Sequence, residues 1–340
     1  MSMPNLPAFY LKHLIKDTLS SVTLYVTQRC NLACRTCFVQ PGSEEPALSF
    51  YENLARQLPR LMWLDIGGGE PFLRHDLPQI CSLFDTAILG IPTNGYDRKT
   101  IVPMVKEIAS RTRGRLVISL SVDGPEPMHD AIRGRGTWQR AWSTFEEVRG
   151  IDGVALKVNT VITGENLPSL KEFAAWVRSR GADGHSLMLL RGDPRDSSLR
   201  PPPPESLRDA GPGLLAELRG YRYAHGALGA RLLWEYHRLA WALSVRTLQQ
   251  KRQVVPCLAG RNYLVVWPNR TAGPCELLPP VGSLDDTALD ALIRSPQWSR
   301  QCSFIAQGGC WCTHNCALLA SILFHPPSLA RIAFAAMGLS

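Results

Sequence analysis

Tyr25-Val26-Thr27-Gln28-Arg29-Cys30-Asn31-Leu32-Ala33-Cys34-Arg35-Thr36-Cys37-Phe38 sets three cysteines in a C-x3-C-x2-C spacing directly after an apolar, β-branched run. The run, over 23–27, reads as a strand, so the thiols sit on the loop that leaves its end. Three thiolates on one loop can each bind a corner iron of a four-iron, four-sulfur cube and leave the fourth iron without a protein ligand. An open position marks a reactive site, as it does when catalytic zinc is compared with structural zinc. The plainer alternatives are a zinc knuckle or a chance group of thiols. Zinc would want a fourth Cys or His close by, and none lies between Phe38 and His75.

Working outward, short apolar runs recur at 63–67, 87–92, 116–122, 156–162 and 186–190, with amphipathic stretches over 49–58, 77–84, 98–110, 137–149 and 167–180 between them. Ser49, Asp97 and Asn166 stand where helix caps belong. This is the rhythm of repeated βα units, and it is compatible with a doubly wound sheet or a barrel. After 193 the composition changes. Asp193 to Ser198 runs into Pro201 to Pro204, which reads as a stiff exposed linker. A helical stretch over 214–250 follows, and a second group of cysteines begins at Cys257.

The chain has 340 residues, is 45% hydrophobic and carries a formal charge of +8, from 37 Lys and Arg against 29 Asp and Glu. The excess is Arg scattered through every segment with no basic run, which argues against a nucleic-acid surface. No stretch approaches the ~20 apolar residues of a membrane span, and residues 1–17 lack the pattern of a secretory signal. A cytoplasmic protein is therefore expected. A reducing compartment keeps the ten cysteines free and makes their close spacings read as metal sites.

Three further segments stand at strand ends. Gly67-Gly68-Gly69-Glu70-Pro71 follows the second strand, where glycines allow close backbone approach and a carboxylate can accept from an ammonium group. Alone, it is no more than a tight turn. Pro92-Thr93-Asn94-Gly95 follows the third strand, and Asn94 either faces the site or forms an ordinary Asn-Gly turn. Ser119-Leu120-Ser121-Val122-Asp123-Gly124 ends the fourth strand and leads to His129 and Arg133.

Together with the cysteine loop, these segments resemble the radical S-adenosylmethionine (SAM) enzymes. The resemblance covers roughly 23–318. It implies an α/β fold, a partial (β/α)6 TIM-like barrel with a C-terminal cysteine-rich extension. Cys30, Cys34 and Cys37 would hold the SAM-binding [4Fe-4S] cluster. Gly68, Gly69 and Glu70 would hold the amino group of SAM, Ser121 and Asp123 its ribose and carboxylate region, with Asn94 lining the site. His129 and Arg133 would touch SAM or substrate, or form a solvated pair that stabilises a turn. Thr36 departs from the family, which usually places an aromatic residue there.

Cys257 and Cys275 flank an apolar stretch that reads as a hairpin, and Cys310, Cys312 and Cys316 follow within seven residues. This resembles the SPASM or twitch extension that some radical SAM enzymes use for auxiliary clusters. Two fully cysteine-ligated cubes would need about eight thiols. One auxiliary [4Fe-4S] cluster is expected, on Cys257, Cys275 and Cys316 with Cys312 or Cys310 as the fourth ligand. Cys302 and Cys81 are expected to be ordinary buried thiols. The resulting domain plan is an N-terminal segment 1–22, the barrel 23–193, a linker and helical segment 194–254, the cluster extension 255–320 and a tail 321–340.

The resemblance implies reductive cleavage of SAM, supplied by an external one-electron donor, and hydrogen abstraction from a substrate C–H bond. Peptide maturation is the first expectation. The alternatives are oxidation or rearrangement of a sugar or other small molecule, and a non-catalytic iron-sulfur electron carrier or redox sensor. Only about 22 residues precede the first strand, so leader recognition would fall to a separate peptide-binding partner.

Overall fold

A computed structural model describes residues 19–221 and 226–338. Most of the 1–22 segment therefore lies outside the described residues. The six expected strands are all present, as β1 (Ser21–Thr27), β2 (Leu61–Gly68), β3 (Thr86–Thr93), β4 (Arg115–Ser121), β5 (Val154–Ile162) and β6 (Gly184–Leu189). They pair in parallel and in chain order. Sequential parallel order requires each crossover to return on the same side, which curls the sheet into an open barrel wall rather than a doubly wound sheet.

The crossovers are α1 (Leu48–Gln57), α2 (Leu77–Leu83), α3 (Arg98–Arg111), α4 (Glu126–Arg133), α5 (Thr137–Val148) and α6 (Leu170–Ser179). Alternation along β1 decides which face they cover. Val22, Leu24 and Val26 are fully buried with Tyr51 and Leu54 of α1 in the core, while Thr23 and Tyr25 face the barrel interior. Each such apolar side chain contributes roughly 1.5–3 kcal/mol by leaving water. Cys81 lies in this core, as expected.

The structure corrects one reading and adds to another. The proline-rich segment keeps many of its residues exposed, as expected, but is also docked by its backbone. The backbone N–H groups of Arg195 and Asp196 donate to the carbonyls of Cys37 and Arg35, and Leu199 is buried. An extended chain has unpaired donors and acceptors, and here the cysteine loop supplies their partners. The helical stretch is also two helices, α7 (Pro204–Arg219) and α8 (Gly226–Gln250). The last proline of the run opens α7, because Pro at the first turn has no N–H to leave unsatisfied.

The cysteine-rich extension continues the barrel sheet. β7 (Tyr263–Val266) pairs in parallel with β1, and Tyr263 donates through its hydroxyl to Thr23 at 3.1 Å. β8 (Thr271–Gly273) returns antiparallel to β7, so the expected hairpin is present, and β9 (Gly282–Ser283) completes it. Four helices follow: α9 (Leu289–Ile293), α10 (Pro296–Ala306), α11 (Asn315–Leu323) and α12 (Pro326–Ala336). Leu318, Ile322 and Ile332 of the last two pack with Leu239 and Leu243 of α8. Among the described residues no single helix is long and apolar enough to cross a membrane; α11 and α12 satisfy that test only as a pair bent by 82°.

Candidate active site

The cysteine loop leaves the C-terminal end of β1 and is clamped from three sides. Arg29 pairs with Glu45 at 2.8 Å, and Arg35 pairs with both Glu165 (2.9 Å) and Asp196 (2.8 Å). The Arg35 N–H donates to the carbonyl of Ile132 in α4. Such fixing suits a loop that must present three sulfurs in one geometry. Cys34 is buried, Cys37 half-buried and Cys30 exposed. Burial pushes the thiol pKa of both Cys30 and Cys34 up; the Arg133 cation opposes this at Cys34.

Two N–H donors face these sulfurs: Asn94 Nδ2 lies 3.9 Å from Cys30 Sγ, and Arg133 Nη1 lies 3.8 Å from Cys34 Sγ. Donors of this kind stabilise thiolates and tune a cluster bound to them. Among the described residues no three Cys, His, Asp or Glu side chains converge on a point suited to one metal ion. A four-iron cube would spread its three thiolates over separate irons. The donor set fits such a cluster. Thr36, the departure from the family pattern, is buried.

Gly68 and Gly69 are needed by the chain itself. Gly68 has φ +129°, and a Cβ there would stand 2.2 Å from the Thr27 carbonyl oxygen; a Cβ on Gly69 would stand 2.1 Å from that of Arg29. The N–H groups of Gly69 and Glu70 donate to those two carbonyls at 2.9 Å. The glycine segment thus lies directly against the backbone that leads into Cys30, a reason for glycine other than the approach of a ligand.

That contact delivers Glu70, which is 2% exposed, to the loop. Its Oε1 accepts from Thr93 Oγ1 at 2.9 Å and from the Phe72 N–H, and its Oε2 accepts from the Asn94 N–H at 2.7 Å. Burial raises its pKa to about 7, against the pull of these hydrogen bonds and of Arg133. Asn94 is placed at the site: Nδ2 donates to Asn31 Oδ1 at 2.8 Å, and Oδ1 accepts from the Tyr96 N–H. Glu70, Asn31, Asn94, Phe72 and Met104 line a cleft of about 230 Å³ beside the loop. A larger cleft of about 760 Å³ between α7 and α8 contains none of the candidate residues.

Asp123 is fully buried, and both its oxygens are already engaged. Oδ1 accepts from the Val161 N–H at 2.8 Å, and Oδ2 accepts from Arg133 Nε at 2.7 Å. Its carboxylate consequently holds Arg133 in place. His129 is also buried, with Nδ1 accepting from the Asp123 N–H at 3.2 Å. The alternative of a solvated His129–Arg133 pair is thus overturned. Both residues lie on α4, a helix that sequence reasoning missed because it is short and begins Pro125-Glu126-Pro127. Asn166 caps no helix with its side chain; Nδ2 instead donates to the carbonyls of Asp123 and Val161 and fixes the turn. Ser121 ends β4, half-buried and in register with Asn159.

In the extension, Cys257, Cys275, Cys310 and Cys316 all border one apolar cluster around Tyr263 and Val265. Burial raises the thiol pKa values of Cys275 and Cys312, and proximity adds to it: Cys312 raises that of Cys275, and Cys257 that of Cys312. Cys316 Sγ also donates to Asp65 Oδ2 of β2 at 3.5 Å, toward the barrel interior. Cys302 is half-buried rather than fully enclosed.

Sequence reasoning missed Glu276. It accepts from Tyr25 Oη at 2.5 Å, and its Oε1 lies 2.8 Å from Arg191 Nε and 2.7 Å from His314 Nε2. Burial alone would raise its pKa, but the contacts from His314, Arg191 and Tyr25 hold it well below the usual carboxylate range. Arg191 in turn stacks over Phe38, next to Cys37. One buried carboxylate thus links the two cysteine regions. Its only signal in sequence was a charge directly after Cys275 in an otherwise apolar stretch.

No family model matches the chain. The chain is 28% identical over 171 residues to the mycofactocin maturase MftC of Mycolicibacterium smegmatis, a match that covers 47% of this chain and 42% of that protein. It spans less than half the length of the first curated relatives that it matches. Among solved structures, SuiB of Streptococcus suis bound to S-adenosylmethionine superposes with a TM-score of 0.63 at 15% identity, covering 87% of this chain and 71% of SuiB. Native anSMEcpe with bound AdoMet superposes with a TM-score of 0.60 at 15% identity, covering 94% of this chain and 100% of that one. SuiB has also been solved bound to precursor peptide SuiA, and anSMEcpe with the Cp18Cys peptide. These likenesses establish the fold.

Proposed function

We propose that this chain is a radical SAM enzyme that modifies a peptide. The observation that carries the reading is the convergence on one loop of three thiols, two N–H donors to sulfur, and a buried carboxylate at the end of the next strand. A reduced four-iron cluster on Cys30, Cys34 and Cys37 would give one electron to SAM, releasing a 5'-deoxyadenosyl radical that takes hydrogen from substrate carbon.

The protein's own residues would bind and orient. Glu70 keeps unused acceptor capacity on its oxygens and would receive the SAM ammonium. Arg133, held by Asp123, would face the SAM carboxylate, a bidentate task suited to guanidinium. Ser121 and Asn94 would border the cofactor from β4 and β3. Cys257, Cys275 and Cys316, with Cys312 or Cys310 as the fourth ligand, would hold one auxiliary cluster in a SPASM- or twitch-like extension. The structural neighbours solved with bound peptides support a peptide over a sugar as substrate, and electrons would come from an external one-electron donor.

The test compares 5'-deoxyadenosine formation by the reconstituted, reduced protein with candidate precursor peptides and with sugar derivatives. Stimulation by a peptide is expected. Stimulation by a sugar alone would replace the peptide reading. Iron content distinguishes the clusters: about eight irons falling to about four when Cys30, Cys34 and Cys37 are replaced supports two cubes.

A further inference from the structure

The inner face of β4, β5 and β6 is polar and incompletely filled. Along β5, Leu156, Val158 and Ile162 are buried against the outer layer, whereas Lys157 and Asn159 alternate toward the interior and retain partial exposure, as do Ser121, Ser186 and Met188. A barrel centre is ordinarily packed with branched apolar side chains. Strand register sets the polar residues in rows. Ser121, Asn159 and Ser186 lie side by side across three strands, and Ser119, Lys157 and Gly184 form the row beneath. Gly184 opposite Lys157 leaves that position without a side chain.

The Lys157 ammonium donates to Ser186 Oγ at 3.3 Å and lies 5.9 Å from the Trp63 ring. Among the described residues it makes no ion pair with a carboxylate. Asp65 on β2 attracts it from across the interior without contact, and the Asp65 Oδ2 is engaged by Cys316. Taking this cation out of water lowers its pKa, a cost that a bound anion would offset. One row above, Asn159 Oδ1 is buried with no hydrogen-bond partner. Buried polar atoms are rarely left in that state. The site therefore offers a cation with a hydroxyl, and beside them an acceptor waiting for a donor.

We propose that Lys157, Ser186 and Asn159 form a subsite for a substrate carboxylate that has an N–H group close to it, with Lys157 and Ser186 taking the carboxylate and Asn159 the N–H. The inference rests on the proposed function for the idea that substrate enters the barrel. A peptide presents this chemistry in two ways, at its C-terminal residue or at an Asp or Glu side chain near a backbone amide.

The experiment measures equilibrium binding to the reconstituted, SAM-loaded protein by calorimetry, without reductant. The probes are N-acetyl-trialanine as free acid and as C-terminal amide, and N-acetyl-Ala-Glu-Ala amide beside its Gln analogue. Binding at least tenfold tighter for the free acid, or for the Glu peptide, is expected, and the difference should vanish in Lys157→Gln and persist in Lys157→Arg. The first preference would identify a C-terminal carboxylate and the second a side-chain one. Equal binding of acid and amide forms, no binding of any probe, or a preference that survives Lys157→Gln would overturn the subsite. SAM cleavage by the same preparations is measured separately; failure there would count against the function and not against the subsite.

Discussion

Arg133 and Asp123 form a buried ion pair, Nε to Oδ2 at 2.7 Å, with the carboxylate wholly enclosed. Because the same guanidinium reaches within 3.8 Å of Cys34 Sγ, the pair connects the end of β4 to the cysteine loop. Removing one member leaves the other charge uncompensated, which costs roughly 3–5 kcal/mol, whereas removing both costs less than the sum. Asp123→Asn and Arg133→Met should each destabilise strongly, and the double variant should recover part of the loss. Urea denaturation of the four proteins tests this, and strictly additive losses would show that the two side chains are not coupled.

Gly69→Ala should destabilise by on the order of 2–4 kcal/mol and lower iron content, because its Cβ would meet backbone oxygen at 2.1 Å and backbone cannot rotate away. Gly136→Ala is the comparison. Gly136 has φ +76° with nothing within 4 Å of a new Cβ, so only backbone strain of roughly 1–2 kcal/mol applies. Thermal melts and iron assays on both variants check the contrast. Equal effects would mean that the glycine segment is not pressed against the cysteine loop.

Why some of this was legible in sequence and some not follows from what each feature depends on. The six barrel strands announce themselves through local runs such as Val117-Ile118-Ser119-Leu120, and the cysteine loop through spacing, both readable within a few residues. The role of Asp123 depends on Arg133 arriving from α4, and Glu276 depends on Tyr25, Arg191 and His314 arriving from three distant segments. Such tertiary convergence has no local pattern. The docking of the proline segment was hidden for the same reason: composition reports stiffness and exposure, but only the fold shows that its amides pair with the loop at Arg35 and Cys37.

Glu70 predicts the pH dependence of cofactor binding. Burial raises its carboxyl to about 7, so the ionised form that attracts an ammonium is lost as pH falls through that value. SAM affinity should therefore weaken by up to about tenfold per unit below pH 7 and level off above it. Glu70→Gln should bind more weakly at pH 8 and show a flat profile from pH 6 to 8. Calorimetric titration gives both curves, and an unchanged slope in the variant would assign the dependence elsewhere.

His185 predicts a separate effect on stability. It is buried on β6, with Nε2 2.8 Å from Thr160 Oγ1, and burial lowers its pKa to about 3 from an ordinary 6.5. The unfolded chain binds the proton first, so this contribution is fully present above pH 6.5 and falls away as pH drops toward 3. Between pH 6.5 and 5.5 the loss should be on the order of 1 kcal/mol. His185→Phe should lose less over that interval when unfolding midpoints are compared at several pH values, and parallel losses would remove His185 as the source.

The proposed activity is reductive SAM cleavage at the loop bearing Cys30, Cys34 and Cys37. Anaerobic reconstitution with iron and sulfide, followed by dithionite and SAM, should yield 5'-deoxyadenosine and methionine from the unaltered chain and none from Cys34→Ala. A wild-type protein that holds iron on this loop and binds SAM yet forms no 5'-deoxyadenosine would contradict the account, as would a Cys34→Ala variant that forms it at the wild-type rate.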